Sequence, residues 1–208
     1  MLKKLLSQDF IVGVDEAGRG PLVGPVVAAA VILPLDFTPE MFPGMTDSKK
    51  LSESKREKLE VLIKKYALAW SVAQVSAAKI DEINILQATL LAMQQAVLTL
   101  PVNSQQISCV LVDGNQAPKL NYKVVTIVKG DLYEPCISAA SILAKVHRDR
   151  LLIDLDNSYP QYGFAQHKGY PTKDHLAAIS LHGVIAEHRK SYAPIKKALL
   201  EQNKLPNY

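Results

Sequence analysis

Four acids stand out because each sits where an apolar run ends. Asp15 and Glu16 follow FIVGV, Asp113 closes QISCVLV, and Asp131 follows KVVTIV with Gly130 before it. Aspartate is a poor strand residue and is costly beside a core unless its charge is compensated. Ligands of α/β sheets bind beyond the carboxyl ends of strands, so these acids are expected to converge on one site. Two carboxylates about 4 Å apart repel by ~4 kcal/mol at an effective dielectric of about 20. Protonation or a cation must relieve that repulsion. Four oxygen donors without imidazole or thiolate suit a hard divalent ion, Mg²⁺ or Mn²⁺. Taken singly, each acid also reads as a turn residue, and Asp113-Gly114 is a good turn pair. It is the set of four that favours a metal. Adjacent strand residues point to opposite faces, so Asp15 and Glu16 are expected to share a site through a turn between Val14 and Gly18.

Gly18, Gly20 and Gly24 raise the alternative of a phosphate loop. Their spacing is GxGxxxG, not the dinucleotide fingerprint, and the next segment (PVVAAAVIL) reads as a strand rather than a helix. No helix N-terminus is then available for a pyrophosphate, and no Walker lysine occurs, so no nucleotide cofactor is expected. A tight hairpin explains the glycines but not the acids. Two further groups carry chemistry. In CISAASILAKVHRDR, Lys145 and Asp149 stand four apart: either a surface ion pair, or a lysine set near a phosphate or the carboxylates. Tyr170, between Gly169 and Pro171 and beside His167 and Lys168, is placed to stack on a base or sugar, whereas Tyr159 and Tyr162 suit core gaps. The five histidines show no HxH or HxxxH pair, which argues against zinc.

The elements that must position these groups can be read from periodicity. Strands are expected at 10–14, 25–33, 67–76, 106–112 and 123–128, the first two as an antiparallel pair. Residues 34–50 hold three prolines and form a loop whose end, Asp47 to Lys50, is polar and basic. Ser54 and Glu57 make a capping-box pattern ahead of a helix carrying Leu59, Leu62, Ile63 and Tyr66. A long helix comes next, with Ile83, Leu86, Leu90, Met93 and Val97 along one stripe, and another spans 136–155. Residues 157–172 read as loop, and two short helices finish the chain. Strands followed by strand–helix alternation predict a mixed α/β sheet.

Composition bounds the function. The chain has 208 residues, 48% of them hydrophobic, enough for a sizeable core in one domain spanning 1–208. Net charge is +4, and all of the excess lies in residues 145–208, where ten Lys/Arg face six Asp/Glu. A basic C-terminal third fits a polyanion, though a solvated surface would look the same. Cys109 and Cys136 lie in apolar runs without CxxC spacing, as expected of free thiols in a reducing cytoplasm. MLKKLL imitates a signal-peptide start, but Asp9, Asp15 and Glu16 interrupt the apolar stretch that a signal peptide needs. The longest apolar run, Val26 to Leu33, is too short for a bilayer.

The blocks VDEAGRGPLVGPVVAAAVIL, TDSKKLSE, NILQATLLAM, VDGN, VKGD, SAASILAKVHRDR, HKGYPT and HRKSYAPIKKAL occur in this order, over about residues 9 to 198. Together they resemble bacterial ribonuclease HII. The resemblance implies a ribonuclease H-like mixed five-stranded sheet flanked by helices, with a helical, substrate-binding C-terminal portion over residues 156–208. It implies a metal-dependent endoribonuclease that cuts the RNA strand of hybrids and incises duplex DNA 5′ of an embedded ribonucleotide. The active-site acids map onto Asp15, Glu16, Asp113 and Asp131. Gly18, Arg19 and Gly20 are implied to meet the nucleic acid around the ribonucleotide 2′-hydroxyl, and Tyr170 the sugar at the junction. Lys49, Lys145 and Lys168 are expected to join them on the backbone, and the protein to act as a monomer. The chain departs from the family pattern at Lys190, where Arg is common, and at Tyr192, where Phe is common. Two readings stay beside this one. A resolvase-like relative of the same fold shares the acids but lacks Gly18-Arg19-Gly20 with Tyr170. A non-catalytic binding module keeps the basic residues but has no need of four acids.

Overall fold

The computed structural model describes residues 10–46 and 48–202. The MLKKLL start, Asp9, Asp47 and residues 203–208 of the closing EQNKLPNY lie outside it. Five strands, β1 (Phe10–Ala17), β2 (Val26–Ile32), β3 (Ala69–Val75), β4 (Ile107–Asp113) and β5 (Val124–Ile127), form one sheet in the order β3-β2-β1-β4-β5. β1 pairs antiparallel with β2, and β2 with β3; β4 runs parallel to β1, and β5 parallel to β4. The sheet is the mixed one expected from the sequence.

β2 explains why both faces are covered. Its seven residues, VVAAAVI, are all buried, and a strand apolar on both faces must be sandwiched. On one face Val26, Ala28 and Ala30 pack with the helix α2 (Ala77–Leu98). On the other, Val27, Ala29 and Val31 meet α1 (Glu53–Tyr66) and α4 (Pro135–Ser158). A four-residue helix, α3 (Gly130–Tyr133), precedes α4. The small residues that open α4 let it approach closely: a Cβ on Gly13 of β1 would lie 2.2 Å from the Cys136 carbonyl carbon.

The helix details differ from expectation in two places. The cap of α1 is Ser52, whose hydroxyl accepts the Lys55 N–H; Ser54 lies inside the helix. α2 breaks at Asn84, which takes φ 66° while its side chain accepts the N–H groups of Leu86 and Gln87. The break re-phases the helix. Ala88, Ala92, Met93, Ala96 and Val97 face the core, and Ile83, Leu86 and Leu90 are only half-buried. Four of the five residues of the expected stripe still pack on the apolar cluster of this face, Met93 and Val97 within it and Ile83 and Leu90 against it, while Leu86 does not.

The C-terminal portion continues without a break from α4, which runs through position 156 to Ser158. Beyond it come short turns, α5 (Phe164–His167), α6 (Lys173–His182) and α7 (Ala193–Gln202). They enclose a third apolar cluster of Leu22, Val23, Leu152, Tyr162, Phe164, Ile179 and Ile195. Leu22 and Val23 belong to the β1–β2 connection, so the C-terminal helices are packed onto the segment just after the acids. Both cysteines are free thiols. No helix among the described residues is long and apolar enough to cross a membrane.

Candidate active site and nucleic-acid interface

Asp15 and Glu16 do not stand beyond the end of β1. The strand runs regularly to Ala17, pairing Asp15 with Ala29 and Glu16 with Ala28, so the expected turn between Val14 and Gly18 is absent. What ends early is the other side: the pairing of β1 with β4 stops at Val14 opposite Val112. Past that point β1 has no neighbour on its β4 edge. The two side chains leave opposite faces, as strand parity demands, yet Asp113 at the tip of β4 bears electrostatically on both. Asp131 is on α3 rather than at a strand end. Its N–H points to Asp113 Oδ1 at 3.4 Å, and its residue is buried.

The acids are held under electrostatic stress. Asp15 is 3% exposed. Burial, then the charges of Glu16 and Asp113, push its carboxyl well above the usual range, while hydrogen bonds from Ser141 and from the Glu16 N–H pull the other way. The Glu16 N–H donates to Asp15 Oδ1 at 2.7 Å. Ser141 in turn is 2.8 Å from the buried Ser48 hydroxyl. Glu16 is raised by burial, lowered by Arg19, raised by Asp113 and lowered by Lys49. Its ion pair with the half-exposed Arg19 is long, at 3.4 Å. Buried, mutually repelling oxygen donors fit a hard divalent cation, which would remove the repulsion. Among the described residues no three His, Cys, Asp or Glu side chains already enclose a metal-sized cage.

The turn after β1 is built differently from a tight hairpin. It spans residues 18–25, with Gly18 at φ 97° and Gly24 at φ 77°. Gly18 is buried, and a Cβ there would lie 2.1 Å from Arg148 Nε. The space beside Gly18 is therefore filled by the protein's own arginine. Gly20 is exposed, and its missing Cβ would lie 3.4 Å from the Tyr170 ring. Tyr170 is 44% exposed, whereas Tyr162 is buried and stacked on Phe164 at 5.1 Å. Arg19, Gly20 and Tyr170 thus present one exposed surface beside the acids.

The lysines divide. Lys49 is exposed, and its charge reaches Glu16. Lys145 is no surface pair: it bonds the buried Asp149 at 2.7 Å, and Asp149 also meets Arg56 at 3.5 Å. Arg56 carries this network to the loop carbonyls of Ser48 and Leu51. Lys168 bonds the Ala165 carbonyl at 2.7 Å and lies 3.6 Å from Glu53. Lys145 and Lys168 are thereby committed to internal partners.

The basic C-terminal third is likewise less outward than its composition implies. Arg148 and Arg189 are 1% and 0% exposed. Arg189 donates to the carbonyls of Gly18, Arg19 and Gly24, and Arg148 to those of Val23 and Lys168. Arg150 is paired with Glu60 at 2.6 Å. Arginine presents five donors in a fixed fork, so a turn rich in unpaired carbonyls draws it inward. Sequence reasoning missed these two arginines, Ser48, Ser141 and the buried His175 and His188. The blocks VHRDR and HRKSY held the signal, but charge counting assigns their arginines to the surface.

A family model described as Ribonuclease HII matches residues 12–194. Ribonuclease HII of Acinetobacter baylyi is 58% identical over 195 residues, spanning 91% of this chain and 98% of its own. Ribonuclease HII of Vibrio parahaemolyticus is 58% identical over 190 residues, spanning 91% and 87%. Among solved structures, ribonuclease H2 from Pyrococcus horikoshii OT3 has a TM-score of 0.77 at 27% identity, covering 94% of this chain and 100% of that one. Bst-RNase HIII in complex with Mn²⁺ shares the fold, with a TM-score of 0.77 at 16% identity, covering 97% and 73%. The chain belongs to the ribonuclease HII family and is a ribonuclease H, an endoribonuclease of RNA–DNA hybrids.

Proposed function

We propose that this ribonuclease H also incises duplex DNA on the 5′ side of single embedded ribonucleotides, leaving 3′-hydroxyl and 5′-phosphate ends, and so removes misincorporated ribonucleotides as well as RNA primers. The supporting observation is the continuity of one strand end. β1 carries Asp15 and Glu16, and the same chain then delivers Arg19 and Gly20 beside the exposed ring of Tyr170. Cutting and feeling for a ribose are thereby only a few residues apart.

Asp15, Glu16, Asp113 and Asp131 would hold Mg²⁺ or Mn²⁺. Two such ions, when bound, supply an activated water and neutralise the leaving oxygen. The rest is done by the chain's own groups. Asp15 is kept in place by Ser141 and the Glu16 N–H, so a cation meets a fixed oxygen rather than a mobile one. Arg19 reaches solvent and offers a bidentate grip on a phosphate. Gly20 carries no side chain, so its backbone can approach a 2′-hydroxyl, the group that separates RNA from DNA. Tyr170 offers a ring for the adjacent sugar, and Lys49 an exposed charge for the backbone. The protein is taken to act as a cytoplasmic monomer of one domain, with no nucleotide cofactor.

Three duplexes test this: DNA with one ribonucleotide, all-DNA, and an RNA–DNA hybrid, each with Mg²⁺, Mn²⁺ or chelator. Cleavage of the first and third with either metal is expected. Cutting of all-DNA, or cutting in chelator, would overturn the reading. Asp113→Asn should abolish cleavage while duplex binding survives.

A further inference from the structure

Two adjacent buried residues, His188 and Arg189, are tied to both halves of the exposed recognition surface. The first tie is to the turn. Arg189 donates from Nη2 to the Gly18 carbonyl at 2.6 Å, from Nη1 to the Arg19 carbonyl at 3.0 Å and from Nε to the Gly24 carbonyl at 3.0 Å. Its Nη1 also reaches the Tyr192 hydroxyl at 3.0 Å, and that hydroxyl donates to the Arg19 carbonyl at 2.6 Å. The position at which this chain carries Tyr rather than Phe thus adds a bond to the turn.

The second tie is to Tyr170, and its proton positions are set by its ends. The Ile185 N–H donates to His188 Nδ1, so a neutral His188 carries its proton on Nε2. His188 Nε2 lies 3.2 Å from His175 Nε2 and donates to it. His175 then carries its proton on Nδ1, which donates to the Tyr170 carbonyl at 2.9 Å. Both rings are fully buried. The backbone fixes the dipeptide itself: the Arg189 N–H donates to the Leu22 carbonyl, the Gly24 N–H to that of Glu187, and the carboxylate of Asp81 accepts the N–H groups of Lys190 and Ser191.

We propose that His188-Arg189 is a positioning unit that locks the Gly18–Gly20 turn and Tyr170 at one fixed spacing, and that this spacing sets the preference for an isolated ribonucleotide over a continuous hybrid. This rests on the assignment of Arg19, Gly20 and Tyr170 to ribonucleotide recognition. A hybrid offers many registers, so a loosened surface still finds one. A lone ribonucleotide offers a single register and suffers most.

The experiment compares kcat and KM on the single-ribonucleotide duplex and on the hybrid. Tyr170→Ala tests the underlying assignment. Tyr192→Phe removes only a hydroxyl, and His188→Leu breaks the relay while His188→Gln keeps a donor near the Nε2 position. The expected result is a KM raised ~5-fold or more on the single-ribonucleotide duplex for Tyr192→Phe and His188→Leu. The hybrid should change less, kcat little, and His188→Gln should restore much of the loss. A wild-type ratio in Tyr170→Ala would sink the recognition assignment. A lowered ratio there, with wild-type ratios in Tyr192→Phe and His188→Leu, would sink the positioning unit alone. Should His188→Leu fail to fold, Arg189→Lys, which keeps the charge but loses the fork, decides the arginine arm, and a wild-type ratio in it would overturn that arm. The imidazole ¹⁵N shifts of the wild-type protein decide the histidine arm: His175 is expected as the Nδ1–H tautomer, and an Nε2–H form would overturn the relay.

Discussion

At the scale of single residues, two glycines two positions apart have different reasons to exist. Gly18 combines φ 97° with an arginine where its Cβ would be. Gly18→Ala should therefore cost at least ~2 kcal/mol of stability through strain and overpacking. Gly20→Ala should cost under ~0.5 kcal/mol, as an exposed change does, yet raise KM on the single-ribonucleotide duplex. Denaturant midpoints alongside steady-state kinetics separate the two, and equal destabilisation would refute the distinction. Asp15 gives a prediction of opposite sign. Its buried charge faces Glu16 and Asp113, so in chelator Asp15→Asn should raise Tm by a few degrees, roughly what ~1 kcal/mol does for a domain of this size. Mg²⁺ should raise the Tm of the wild type more than that of the variant. A Tm that falls on substitution would mean that Asp15 is structurally required in its charged form.

At the scale of elements, the cap of α1 shows how local pattern and structure part company. Ser54 and Glu57 fit a capping box, but Ser52 is the cap and accepts the Lys55 N–H. Spacing favours Ser54, which has Glu57 three residues on where Ser52 has Lys55, and so selects the wrong serine. The choice is made by Arg56, whose bonds to the Ser48 and Leu51 carbonyls fix where the loop ends. Ser52→Ala should lower stability by ~1 kcal/mol and Ser54→Ala by much less, a difference readable by urea unfolding. The break at Asn84 is of the same kind. An Asn inside an apolar helical run invites a re-start, since its short side chain caps the second half. Periodicity sees only the run, so it finds most of the buried stripe of α2 but not the break within it.

At the scale of the whole molecule, buried guanidiniums join the C-terminal portion to the β1–β2 connection, and buried imidazoles tie that portion together, beside the apolar contacts. Burial holds His175 and His188 down to about 4, against an ordinary 6.5. Below the unfolded value the unfolded chain takes up protons that the folded rings refuse, so folding is weakened. Stability contributed by this pair is full above about pH 6.5 and is lost progressively as pH falls toward 4. Asp15 and Glu16 act in the reverse sense, because their pKa values are raised. The histidine share is therefore best read as a difference: urea midpoints between pH 4 and 7 should slope less in His188→Gln than in the wild type. Identical slopes would remove the pair from the acid response. Salt gives a second whole-molecule reading. Arg148 and Arg189 are buried, and Lys145 and Lys168 are bonded to internal partners, so duplex affinity should fall with salt by fewer phosphate contacts than the ten Lys/Arg of residues 145–208 would allow.

The sheet and its alternating elements are legible along the chain, as is Asp113 at the tip of β4, whereas Asp15 and Glu16 lie within β1 and Asp131 on α3. The legible features rest on period-two apolar runs and on the cost of placing charge beside a core, both of which are local. Tyr170 reads as the exposed ring of its segment in the same way, because glycine and proline flank it. Three features came only with tertiary closure. Asp15 and Glu16 can bear on Asp113 from opposite faces because β4 stops short, a fact of register between segments nearly a hundred residues apart. Gly18 is a glycine because Arg148 arrives from the far side of the fold. Arg148 and Arg189 turn inward because carbonyls from distant segments await them, and His175 and His188 because folding of the C-terminal portion sets each ring against the other. A charge or an imidazole reads as surface in one dimension; burial requires partners, and partners are supplied only when the chain has closed upon itself.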